Sequence, residues 1–237
     1  MTAVRAELLE ADPLDAAGQM ALDEAVLEEG REGVPVLRFY RWSPATDPCA
    51  VTFGYSQSYA GAEAAARARL GGVSVPLVRR ATGGGVVFHG SDVTFSLVFP
   101  WPTLSDPSLV YKDIHLAVHL GFKAGGVATG LWSPSRAPGL RPDCFAAPEP
   151  KDLVTPEGTK ALGGALRRRR GRGLYQGSLR PEVLGLDAPA ARRAVTEGLA
   201  VAWKALFERR EPEPRVAARA AALRAERYLT DRWNRRR

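Results

Sequence analysis

Cysteine and histidine are both scarce in this chain. Cys49 and Cys144 are its two cysteines, and His89, His115 and His119 its three histidines, in 237 residues. Two cysteines cannot build a disulfide framework, and three histidines leave few candidates for acid–base chemistry or metal binding. Lysine is also rare: Lys112, Lys123, Lys151, Lys160 and Lys204 are the five among 33 basic residues, so arginine carries nearly all the positive charge. Asn234 is the one asparagine. No apolar run approaches the roughly 20 residues that span a bilayer, and residues 1–10 lack the apolar core of a signal peptide. The expectation is a cytoplasmic protein without a membrane partner.

Nothing is missing that a packed core needs. Apolar residues make up 45% and charged residues 25%, which excludes a disordered chain and a collagen-like fibre. The length suits a single domain over 1–237. A formal charge of +7 calls for an acidic partner without saying whether that is protein or nucleic acid. The arginine and alanine bias is also what a GC-rich coding sequence produces.

Periodicity predicts helices over 14–30, 60–70, 108–120, 189–207 and 214–229. Short strands are expected over 36–42, 50–55, 76–80, 85–89, 93–99 and 174–179. In the segment 93–99, Val93, Phe95, Leu97 and Phe99 share one face, with Thr94 and Ser96 on the other. Residues 131–150 read as a loop rich in proline, glycine and alanine. A hairpin follows, turning at Pro156, Glu157 and Gly158 and returning over 160–168. Central strands between terminal helices indicate an α+β fold rather than regular βαβ winding.

Three segments could carry chemistry. In the first, Arg79, Arg80, Ala81 and Thr82 precede Gly83, Gly84 and Gly85, and His89 follows. Consecutive glycines allow a ligand to approach the main chain, and the neighbouring arginines supply positive charge. The spacing is that of neither a phosphate-binding P-loop nor the dinucleotide fingerprint. In the second, Lys160 is followed by Ala161, Leu162, Gly163, Gly164 and Ala165. A lysine is a compact charge whose pKa can move; by itself, however, the segment reads as a solvent-facing hairpin lysine. In the third, Cys144 lies on the proline-rich loop, where nearby positive charge would favour its thiolate; a buried filler is the alternative. Cys49, in an apolar stretch, reads as core. His115 and His119 stand four apart on a helix, but no HExxH pattern or third ligand accompanies them, so no metal site is expected. Arg167, Arg168, Arg169 and Arg170, with Arg172, form either a solvated hairpin arm or a docking patch for an acidic protein. No nucleic-acid-binding signature is present.

Taken together, these residues resemble the lipoate–protein ligase A / octanoyl-lipoyl transferase family. The likeness is carried by Arg79–Arg80–Ala81–Thr82–Gly83–Gly84–Gly85, by His89, and by Lys160 to Ala165. Met20 to Ala25, Leu37 to Trp42, Phe53 to Gln57, Gly177 to Leu179 and Arg227 to Asn234 resemble further family segments. The resemblance implies a mixed central β-sheet flanked by helices, the fold of biotin/lipoate protein ligases and of class II synthetases. It also implies a substrate-binding surface at Arg79, Arg80, Thr82, Gly83, Gly84, Gly85, His89, Gly163, Gly164 and Ala165.

Within that family, Cys144–Phe145–Ala146–Ala147–Pro148 is similar to the nucleophile segment of the cysteine-dependent members. Catalytic roles for Cys144 and Lys160 are therefore implied. Such a transferase would move an octanoyl or lipoyl group, with no cofactor, from octanoyl-acyl carrier protein or a lipoyl domain. The acceptor would be a lipoyl domain of a 2-oxoacid dehydrogenase or the glycine cleavage H protein. The alternative is the catalytic chain of an ATP- and Mg-dependent lipoate–protein ligase; a non-enzymatic basic binding module comes last. The chain departs from the family pattern in three places. Gly90 stands where an aspartate usually follows the histidine, with Asp92 two positions on. Leu162 and Gly164 replace serines. Gln176 replaces a histidine.

Overall fold

A computed structural model describes residues 3–72, 74–101, 105–133 and 147–236. Cys144 lies outside the described residues. The strands are β1 (Val4–Leu9), β2 (Val36–Phe39), β3 (Ala50–Phe53), β4 (Leu77–Arg79), β5 (Val87–His89), β6 (Val93–Pro100), β7 (Gly130–Leu131), β8 (Leu153–Val154), β9 (Lys160–Arg169), β10 (Arg172–Leu179) and β11 (Ala205–Arg210). The α-helices are α1 (Ala16–Glu29), α2 (Tyr59–Leu70), α3 (Pro107–Ala124), α4 (Ala188–Trp203), α5 (Pro214–Leu223) and α6 (Asp231–Asn234). A 3₁₀ turn spans Pro181–Leu184, and a π-helical turn over Arg224–Tyr228 extends α5.

Eight strands form a mixed sheet in the order β11-β1-β2-β6-β10-β9-β8-β7, and β4-β3-β5 form a smaller one. The α+β expectation is met. Period-two alternation sorts the large sheet's two faces. Phe95, Leu97, Tyr175 and Leu162 pack with Ile114 and Phe122 of α3 and Val195 of α4. On the opposite face, Val36, Val98 and Leu174 pack with Met20, Ala21 and Ala25 of α1 and with Val216 and Leu223 of α5. α1 lies between sheet and α5, so it is buried nearly all round, its first twelve residues included. Asp15 caps it, accepting from the Gly18 N–H at 2.7 Å; such a cap contributes about 1 kcal/mol.

Three strands, β1, β7 and β11, and the last helix were not expected. β1 pairs in parallel with β11 along all six residues of each. The helix expected over 189–207 stops at Trp203, because Lys204 adopts a left-handed conformation (φ 51°) and the chain turns into β11. The glycine stretch is not part of a strand: the expected strand over 85–89 shrinks to β5, and Gly84 turns at φ 83°. Among the described residues, no helix is long and apolar enough to cross a membrane.

Candidate active site

A narrow slot lies where the small sheet meets the polar face of β9 and β10 above α1, beside the glycine turn. Its lining includes Met20, Thr52, Arg80, His89, Gly163, Gly164, Ala165 and Gln176. The register explains which strand residues contribute. Gly163 pairs with Ser178 and Ala165 with Gln176, while Gln176 and Ser178 oppose Ser96 and Thr94 of β6. The polar half of the alternating β6 pattern therefore faces the slot.

Nearly all the polar lining atoms are engaged with one another. Arg80, 5% exposed, donates from Nη1 to Thr52 Oγ1 (2.8 Å) and from Nη2 to the carbonyls of Gly83 and Gly85 (2.9 Å each), which fixes the glycine turn. Thr52 Oγ1 also lies 2.8 Å from His89 Nε2. His89 Nδ1 then donates to Asp92 Oδ2 at 3.1 Å. Ser178 (2.6 Å) and Thr94 (2.7 Å) donate to the same oxygen. Burial alone would raise the Asp92 carboxyl, but the His89 charge and these donors outweigh it and hold the group below its usual range.

Asp92 thus reaches the histidine from three positions on, and Gly90 itself is dictated by packing. A Cβ on Gly90 would stand 2.1 Å from Asp47 Oδ1, which no real side chain tolerates.

Gln176 also has a defined place. Its Oε1 accepts from Thr82 (2.6 Å), and its Nε2 donates to Asp23 Oδ2 (2.7 Å) and Tyr40 Oη (3.0 Å). Asp23, 1% exposed, also receives Ser96 Oγ (2.6 Å), Tyr40 Oη and the Arg38 guanidinium. Burial, and then the Asp23 charge, push the Tyr40 phenol well above its ordinary value. Neither Asp23 nor Arg38 was a candidate from sequence; each sits in a segment quoted only for its resemblance. A single carboxylate on α1 therefore ties Gln176, and through it Thr82, to the slot floor.

Lys160 lies at the Gly163 end of the slot. A Cβ on Gly163 would stand 2.4 Å from Lys160 Cε and 2.6 Å from Nζ, so the lysine stem occupies the space that glycine leaves open. Lys160 is 4% exposed, and its Nζ is 2.7 Å from Asp152 Oδ2. Asp152 is buried too, accepting from the Glu149 N–H (2.7 Å) and from Tyr111 Oη (2.5 Å). Tyr111 Oη in turn accepts the Gly164 N–H at 3.0 Å. Burial and the Asp152 charge raise the Tyr111 phenol well above its usual pKa. Lys160 is thus a paired, interior lysine, not a solvent-facing one.

The remaining candidates divide. Thr82, Gly83, Gly84 and Gly85 form the turn beside the slot. Arg79, 1% exposed, points away from it. Its guanidinium donates to the carbonyls of Tyr55, Gln57, Trp233, Asn234 and Arg236 at 2.6–3.0 Å. Its own N–H donates to Asn234 Oδ1 (2.9 Å), and its carbonyl accepts from Trp233 Nε1 (2.9 Å). Arg169 pairs with Glu24 and Glu28, and Arg172 donates to the Gly30 carbonyl, so these two are not a free solvated arm. Cys49 is core: burial, the largest influence, pushes its thiol up to about 12. His115 is fully buried and meets Tyr175 Oη at 2.8 Å. Burial and then the Lys160 charge lower it to about 3. Among the described residues, no cluster could hold a metal ion.

Residues 15–185 match the family described as Lipoyl protein ligase A/B catalytic domain. The chain is 34% identical over 179 residues to the octanoyltransferase LipM of Oceanobacillus iheyensis, covering 72% of this chain and 62% of that protein. The octanoyltransferase LipM of Moorella thermoacetica is 32% identical over 206 residues, covering 81% and 71%. The chain thus spans under two thirds of the first of these relatives. In fold it matches a putative lipoate protein ligase from T. acidophilum with bound lipoic acid, with a TM-score of 0.79, 21% identity and 98% of both chains covered. A lipoate-protein ligase A bound with ATP gives a TM-score of 0.77 at 22% identity, again over 98% of both chains. With its glycine turn, slot and interior lysine in place, the chain belongs to the lipoyl protein ligase A/B catalytic-domain family.

Proposed function

We propose that the protein is an acyltransferase that moves an octanoyl group from octanoyl-acyl carrier protein to a lysine of a lipoyl domain or H protein through a thioester on Cys144. The observation that carries this reading is the Lys160 ammonium, buried at the Gly163 end of the slot and paired to Asp152. The relatives named octanoyltransferase LipM support it.

The chemistry balances without ATP or metal. The Cys144 thiolate attacks the donor's thioester carbonyl, and the tetrahedral intermediate expels the carrier's thiolate. The acceptor lysine, as the free amine, then attacks the new thioester. An amide C–N bond forms, the C–S bond breaks, and the amine's proton passes to the released sulfur. Lys160 would stabilise the carbonyl oxyanion in both halves, as a fixed positive charge in a water-poor site does. Seating the acyl chain in the slot contributes several kcal/mol at roughly 0.8 kcal/mol per CH₂.

The test is intact-mass analysis after mixing with octanoyl-acyl carrier protein. An octanoyl adduct that hydroxylamine removes is expected, and it is lost in Cys144→Ala. An adduct surviving that substitution would overturn the assignment. The ATP-dependent ligase reading predicts instead lipoate-dependent pyrophosphate release, undiminished in Cys144→Ser.

A further inference from the structure

The outer side of the glycine turn carries a second feature. Tyr55 is 44% exposed, and its N–H donates to the Thr82 carbonyl at 2.8 Å. The Arg236 guanidinium lies over its ring, 3.6 Å from the centroid, and also over Trp233 at 4.3 Å. Arg167 flanks the same ring at 5.9 Å and donates to the Ala81 carbonyl at 3.2 Å. Among the described residues, neither Arg167 nor Arg236 has a carboxylate partner. The Arg236 hydrogen bond and charge together hold the Tyr55 phenol below its ordinary value. An open concavity of about 410 Å³ lies across the turn, lined by Gly83, Gly84, Tyr111, Lys151, Gly164 and Ala165. It shares Gly164 and Ala165 with the slot and so forms its approach.

We propose that Tyr55, Arg167 and Arg236 form the docking ridge for the acyl-accepting domain, which binds through an acidic face around its target lysine. This rests on the proposed acyl transfer. The choice of acceptor over donor follows from charge. The acceptor brings an ammonium group toward a protein of net charge +7 and toward the Lys160 and Arg80 side chains. Only carboxylates beside that lysine make the approach favourable. The two ridge arginines, without a carboxylate partner among the described residues and set against one aromatic ring, are where such carboxylates gain most.

The test is binding of an unmodified lipoyl domain to the full chain at two salt concentrations. Arg236→Glu and Arg167→Glu are each expected to weaken binding about tenfold at low salt and to flatten its salt dependence, as rim charges do. Arg193→Glu, an equal charge change on α4, is the control and is expected to stay within twofold. Tyr55→Ala removes the ring that both arginines flank and is expected to weaken binding without altering net charge. Thermal unfolding confirms that each variant is folded. If the ridge variants bind within twofold of wild type, or if Arg193→Glu weakens binding equally, the ridge is overturned. If they weaken only the acyl carrier protein, the ridge belongs to the donor and this assignment fails. Cys144→Ala is expected to bind like wild type, so the loss of acyl transfer and the loss of docking are separable results.

Discussion

Asp152 holds Lys160 and Tyr111 at once, one carboxylate oxygen 2.7 Å from the lysine Nζ and the other 2.5 Å from the tyrosine hydroxyl. All three groups lie beside the β9 segment that lines the slot. Under the proposed mechanism Asp152 acts through Lys160 as a positioning residue. Asp152→Asn is expected to leave a buried ammonium uncompensated and to cost about 3–5 kcal/mol of stability. The pH profile of acyl transfer should shift as the lysine loses its carboxylate, and Asp152→Glu should partly restore it. An unchanged profile in a folded Asp152→Asn protein would remove the positioning role.

Gly163→Ala is a test by crowding. Its methyl group would stand 2.4 Å from Lys160 Cε, so the lysine must move. Acyl transfer is expected to fall through kcat more than through KM, because the charge is displaced while the mouth of the slot is left intact. Single-turnover and steady-state kinetics separate the two.

Asp23→Asn addresses the slot floor. It removes the charge that answers the Arg38 guanidinium, and a loss of about 3–5 kcal/mol is expected in denaturant unfolding. The double variant with Arg38→Met should recover part of the loss, since no buried charge is then left alone.

His115 predicts an acid-side weakness. Its pKa falls from an ordinary value of 6.5 to about 3 in the folded protein. Below pH 6.5 the unfolded chain takes up a proton that the folded chain refuses, so stability falls as pH drops from 6.5 toward 3. The slope from this one group is at most about 1.4 kcal/mol per pH unit. His115→Gln should flatten that limb of the melting-temperature profile; an identical acid limb would exclude His115 as its source.

Much of the sheet was readable in advance. The alternation in β6 separates Phe95 and Leu97 from Thr94 and Ser96, and the structure places the first pair in the α3–α4 core and the second toward the slot. Arg80 lines the slot with Gly163, Gly164 and Ala165, and Gly83 and Gly84 share the adjoining concavity with Gly164 and Ala165. β1 and β11 were not readable, because they complete one another from opposite ends of the chain. The polar network escaped for the same reason: Gln176 and Asp23 are 153 positions apart, and no local spacing signals their contact. Arg79 looked like a ligand group because it adjoins Arg80, yet alternation along the strand turns it the other way, onto carbonyls.

The Arg79 clamp also bears on the order in which the chain assembles during synthesis. Strand β4 joins the small sheet that walls the slot, but its bond to Asn234 spans 155 positions. A ribosome can therefore release nearly all the sheet before the wall is pinned. Nascent chains stalled ahead of Asn234 are expected to present the glycine turn unlatched, exposed to proteases and to premature partners until the last turn of helix arrives.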